Sequence, residues 1–163
     1  MEHYTALLPP TGLLIWGVLC ALQDARQRLI SNWLTLGLCV LATGYLLLTG
    51  HSFTGSTSAT VALGMILALL LSLPGYITGK MGAGDVKLLA ALALSSSPAH
   101  VLGSVAIAAI SMLLWALCGP ALWRQLPPAV HQQLSLMNPS RRDRLPYAPF
   151  FLCGLSASVL WLH

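Results

Sequence analysis

Two acids in an otherwise oily chain, Asp24 and Asp85, are the residues whose type and setting could do chemistry. Asp85 sits in the run Gly79-Lys80-Met81-Gly82-Ala83-Gly84-Asp85-Val86-Lys87-Leu88-Leu89-Ala90, after which the sequence is apolar again at once. Asp24 closes an earlier apolar stretch and is followed by Ala25-Arg26-Gln27-Arg28. Only four acids occur in 163 residues, the others being Glu2 and Asp143. Two carboxylates held close together cannot both ionise easily, so they tend to share a proton. One can then draw a proton from water while the other donates to the carbonyl that the water attacks. A pair of this kind hydrolyses a peptide bond without a serine or cysteine nucleophile, and it calls for no metal and no cofactor. Plainer uses stand beside this one. Asp24 and Arg28 have the i, i+4 spacing of a helical ion pair, and Asp85 can mark a helix start, where an acid complements the dipole.

The elements that must position these acids are membrane helices. Charged residues make up 7% of the chain and hydrophobic ones 56%, against roughly 25% charged in a soluble domain. A spanning helix takes about 20 mostly apolar residues. Six segments qualify in some form: Thr5–Gln23, Trp33–Thr49, Ala59–Thr78, Val86–Ser96, Ala99–Trp123 and Tyr147–Leu162, with Ser95-Ser96-Ser97-Pro98 dividing the fourth from the fifth. The expected fold is an all-α polytopic membrane bundle of about six transmembrane helices, forming a single domain over residues 1–163. The N-terminus lacks the basic stretch that opens a signal peptide, so the first apolar run is expected to be retained.

All eight basic residues fall in the connections after the first, third and fifth segments: Arg26 and Arg28, Lys80 and Lys87, then Arg124, Arg141, Arg142 and Arg144. The positive-inside rule makes that side cytoplasmic and both termini non-cytoplasmic. Asp24 and Asp85 are then returned to the same cytoplasmic face. The fourth segment is short, since thirteen residues from Asp85 to Ser97 rise about 20 Å against a hydrocarbon core of about 30 Å. An acid recessed at that depth is expensive and usually faces a wet cavity or a partner. Gly82 and Gly84 suit a tight turn and close approach there.

These segments resemble the type IV prepilin peptidases, a family of GxGD membrane aspartic peptidases. The match runs through Gly82-Ala83-Gly84-Asp85-Val86-Lys87-Leu88-Leu89-Ala90, the stretch Asp24-Ala25-Arg26-Gln27-Arg28-Leu29-Ile30-Ser31-Asn32-Trp33-Leu34, and Leu145-Pro146-Tyr147-Ala148-Pro149-Phe150. The resemblance implies an aspartic endopeptidase of the cytoplasmic (inner) membrane, with Asp24 and Asp85 as its catalytic pair. Such an enzyme removes the short basic leader of a prepilin or pilin-like substrate at the cytoplasmic face, typically after glycine. The small size is like that of the single-domain members of tight-adherence pilus systems. The N-terminal domain that carries pilin methyltransferase activity in longer members is not seen here, so peptidase activity alone is expected. Ser31 stands where the family usually has proline, which removes a rigid φ from the turn after Asp24.

Around the pair, Gly82, Gly84 and Lys87 form the expected active-site loop, with Lys87 either a snorkelling anchor or a residue that orients the site. Asn32 is expected to cap the second helix. Pro146 and Pro149 bracket the entry to the last one and are expected to support the active-site loop. Arg141, Arg142 and Arg144 suit topology and anionic lipid, with Asp143 as their solvated pairing residue. Cys20, Cys39, Cys118 and Cys153 are far apart in apolar sequence and read as buried small side chains. The expected partners are the substrate protein and the lipid bilayer, without nucleic acid. Two other classes remain open: a proton-coupled small transporter using both acids as relay groups, and a non-catalytic subunit of a pilus or secretion assembly.

Overall fold

The computed structural model describes residues 2–127, 131, 135–138 and 145–162, with side chains described from Thr11 onward. Arg141, Arg142, Asp143 and Arg144 lie outside the described residues. Among the described residues the regular elements are helices: α1 (Glu2–Gln27), α2 (Asn32–Thr49), α3 (Ser58–Ile77), α4 (Ala83–Ser95), α5 (Pro98–Gln125) and α6 (Ala148–Leu162), with a short 3₁₀ turn at Ser135–Met137. Each expected apolar segment becomes one helix, its ends shifted by a few residues. Three of them, α2, α3 and α5, are long and apolar enough to cross a membrane.

The helix ends follow from local chemistry. Ser31 caps α2 by accepting the Trp33 N–H on its hydroxyl, so the expectation that Asn32 is the cap is corrected by one residue. The hydroxyl sits on the half-in residue, where its short side chain reaches an orphan N–H. Gly50 then ends α2 in the left-handed conformation, φ 76°, which glycine adopts without a Cβ penalty. Between α4 and α5 the serines divide the work. Ser95 is the last residue of α4, and Ser97 caps α5 by accepting the His100 N–H, with Pro98 at the first helical position. Proline is favoured there because its missing N–H would have had no partner anyway.

The short helix α4 is the centre of the bundle. It packs against α2, α3 and α5, and Leu88, Leu89, Ala91, Leu92 and Ala93 are all buried. A helix segment that is apolar all round belongs inside protein. The hydroxyls of Ser72, Ser95 and Ser96 are also buried, and each donates to the carbonyl four residues earlier in its own helix. That bond satisfies the hydroxyl without a partner from another helix. The outer faces are strongly apolar: Leu47, Ile77, Leu117 and Leu160 are among many large exposed hydrophobic side chains. A surface of this kind is stable against acyl chains and unstable against water.

Helix α6 packs between α1 and α5. Its contact with α5 is backbone against backbone, for a Cβ built on Gly154 would collide with the carbonyl of Ser104. Small residues let membrane helices approach this closely, and Ser104 and Ser158 bond hydroxyl to hydroxyl across the same seam, 3.3 Å apart. The cysteines depart from expectation. Cys20 is buried, Cys39 is half-buried, and Cys118 and Cys153 are exposed, because the last two fall on the outward faces of α5 and α6.

Gly154→Ala is expected to destabilise the protein by about 1–3 kcal/mol through overpacking. Gly37→Ala, where an added Cβ meets nothing within 4 Å, should be neutral or stabilising by up to about 1 kcal/mol. Thermal unfolding of both variants in the same detergent checks the contrast.

Candidate active site

Asp24 lies beyond the apolar stretch of α1, in the last turn of that helix, and is 5% exposed. Its Oδ2 accepts the backbone N–H of Ala148 at 2.9 Å, and the N–H of Tyr147 also points to the carboxyl. Both donors belong to the start of α6, where N–H groups have no partner within the helix and the dipole favours negative charge. Burial pushes the Asp24 carboxyl above its ordinary value, and the Ala148 and Tyr147 amides and the nearby Arg28 charge oppose that rise. Helix α1 stops at Gln27, and Arg28 turns into the left-handed region with φ 52° while its N–H bonds the Asp24 carbonyl at 2.8 Å. That backbone bond keeps Arg28 one helical turn from Asp24, where its charge acts on the carboxyl.

Asp85 stands in the first turn of α4. Its Oδ2 accepts the Gly82 N–H at 2.9 Å, and its own N–H bonds the Gly82 carbonyl at 3.1 Å. The acid closes the helix start on itself, as a third helical residue does in a capping box. Gly82 has φ −82° and is not strained. The left-handed residue of this connection is Gly79, φ 71°, so the tight turn comes earlier than the glycine pair suggests. The Cα of Gly84 faces the side chain of Ile30, which an added Cβ would meet at 3.7 Å. Lys87 donates to Asn32 Oδ1 at 2.8 Å, which joins α4 to the first residue of α2.

Both acids line one cavity of about 1110 Å³. Gly82, Gly84, Lys87, Asn32 and Pro146 share its wall, whereas Pro149 is not on it and lies in the first turn of α6. Arg28 and Lys80 bring further positive charge to the wall, and Leu71, Leu89, Val105, Ala109 and Met112 make one side of it apolar.

Tyr147 also lines the cavity: its amide faces Asp24, and its ring packs 6.2 Å from that of Phe151. The Tyr147 hydroxyl is buried and has no hydrogen-bond partner among the described residues, which is costly unless something restores one. Sequence reasoning gave no role to Tyr147, Gln23 or Ile30. The signal available for Tyr147 was its place between two prolines, at the mouth of an apolar segment.

The model of the type IV leader peptidase family matches residues 11–117. That span includes both aspartates and ends before the Leu145–Phe150 stretch. Neither the curated proteins nor the solved structures give a match.

Asp85→Asn keeps an acceptor for the Gly82 N–H and is expected to fold with unchanged stability. Asp85→Ala should lose about 0.5–2 kcal/mol, the usual cost of a removed cap. Unfolding midpoints of the two variants, measured beside the parent, test this and show whether the asparagine variant is a clean probe of chemistry.

Proposed function

The chain belongs to the type IV leader peptidase family, and from that premise we propose that it is a membrane aspartic endopeptidase using Asp24 and Asp85. The observation that carries the reading is that the two carboxylates line one cavity although one ends α1 and the other begins α4. Asp85 draws a proton from a water molecule, and the water oxygen bonds to the scissile carbonyl carbon. Asp24, whose burial favours the neutral acid, hydrogen-bonds the carbonyl oxygen and passes its proton to it as charge develops. The resulting diol collapses as the proton on Asp85 moves to the departing amine. The C–N bond breaks, and the hydroxyl proton returned to Asp24 regenerates the starting state.

The substrate is a prepilin-like protein whose short basic leader is removed at the cytoplasmic face, after glycine. The apolar wall of Leu71, Leu89, Val105, Ala109 and Met112 suits the hydrophobic segment that follows such a cut. Six spans in the inner membrane, with both termini outside the cytoplasm, suit the one-sided distribution of Lys and Arg. Peptidase activity alone is proposed.

A prepilin with a basic leader, a glycine junction and an apolar following helix is the substrate for the test. The purified protein should cut it once, after the leader, with product mass locating the bond. Asp24→Asn and Asp85→Asn should each lower kcat by about 10²–10⁴-fold with membrane insertion unchanged. A cut that survives either substitution would remove that residue from the pair. The pH profile of kcat/KM should be bell-shaped. Its rising limb reports ionisation of the base. Its falling limb reports loss of the proton held by the acid, and should lie above the ordinary carboxylate range because burial raises Asp24.

A further inference from the structure

We infer that Gln23 is a positioning residue, whose side-chain carbonyl clamps the α1–α2 turn and thereby sets Asp24 against Asp85. Gln23 Oε1 accepts the Ser31 N–H at 2.8 Å. The bond spans the whole turn from the residue before Asp24 to the residue that caps α2. Inside it, Arg28 holds φ 52°, a conformation that residues other than glycine adopt infrequently and that needs support from its surroundings.

The far side of the turn reaches the other acid. Ile30 packs on Gly84, the residue before Asp85, and Asn32 receives the Lys87 ammonium. One end of the clamp is thus covalently next to Asp24, and the other presses on the first turn of α4. Leu29 and Ile30 line the cavity as well, so a loosened turn would alter the wall and the separation of the carboxylates together.

Ser31 has φ −58°, within the range that a proline ring imposes by itself, and its ψ of 135° is one that proline also adopts. A proline would have no N–H to donate. In this chain a hydrogen bond to Gln23 does what a ring would do covalently, and the two devices should be interchangeable.

The functional half of this inference rests on the peptidase reading, whereas the clamp itself does not, and the experiment separates them. Gln23→Met, Ser31→Pro and the double variant are compared with the parent as full chains in detergent, using the prepilin cleavage assay. Gln23→Met is expected to lower kcat by about 10–100-fold, the range for a small misplacement of reacting groups, with KM changed less than about threefold. Hydrogen exchange of the Ser31 amide should become faster in the same variant. Ser31→Pro should stay within a few-fold of the parent, and adding it to Gln23→Met should restore kcat.

Full activity in Gln23→Met would overturn the inference, as would an unchanged exchange rate at Ser31. So would a double variant no better than Gln23→Met, or an inactive Ser31→Pro, since either would contradict the interchange of the two devices. If the parent cuts no prepilin the peptidase reading falls, and the exchange comparison decides the clamp by itself.

Discussion

The bond from the Ala148 amide to the Asp24 carboxylate is the contact on which the site depends. It joins residues 124 positions apart at 2.9 Å and binds the end of α1 to the beginning of α6. A carboxylate in so buried a place is costly unless donors meet it, and the start of a helix supplies donors that have no other use. The same bond fixes the acid, closes the bundle between its first and last helices, and puts Tyr147 on the cavity wall. Without it Asp24 would be an acid at a membrane surface with Arg28 beside it.

Asp85 is held by the same physics applied locally. It also accepts an N–H at a helix start, but the helix is its own. The two carboxylates therefore sit at two helix N-termini, in settings that differ chiefly in burial. Unequal settings are what a proton-sharing pair needs if one member is to act as acid and the other as base. Tyr147 lines the same cavity, with a buried hydroxyl that has no hydrogen-bond partner among the described residues. The α1–α2 turn connects them from the other side, through Gln23, Ile30 and Gly84.

Much of this was legible in the sequence. Apolar runs and the Ser-Ser-Ser-Pro break marked each of the helices α1 to α6, because in lipid few alternatives to a helix exist. The acids stood out because acids are scarce in such a chain. What stayed illegible was contact across long separations and choices made at single residues. No periodicity shows that the amide of Ala148 will meet Asp24. Ser31 and Asn32 are both good caps by type, and only the backbone path decides that serine takes the role and asparagine turns to Lys87. The glycine pair drew attention away from Gly79, whose φ is the positive one. Apolar neighbours around Cys118 and Cys153 mean burial in water, whereas in a bilayer they are equally compatible with a face turned to lipid, and both thiols are exposed.

The close seam between α5 and α6 has a mechanical meaning. With Gly154 pressed on the Ser104 carbonyl, α6 can neither roll nor slide along α5 without its backbone striking that of its neighbour. Asp24 is bonded to the first residue of α6 and so belongs to the same stiff frame. Asp85 belongs to α4, which meets α2, α3 and α5 and meets the α1–α2 turn through Ile30 and Asn32. Asp24 is thus tied by its carboxylate to the most closely packed seam of the bundle, whereas the Asp85 carboxylate is tied to the start of its own helix.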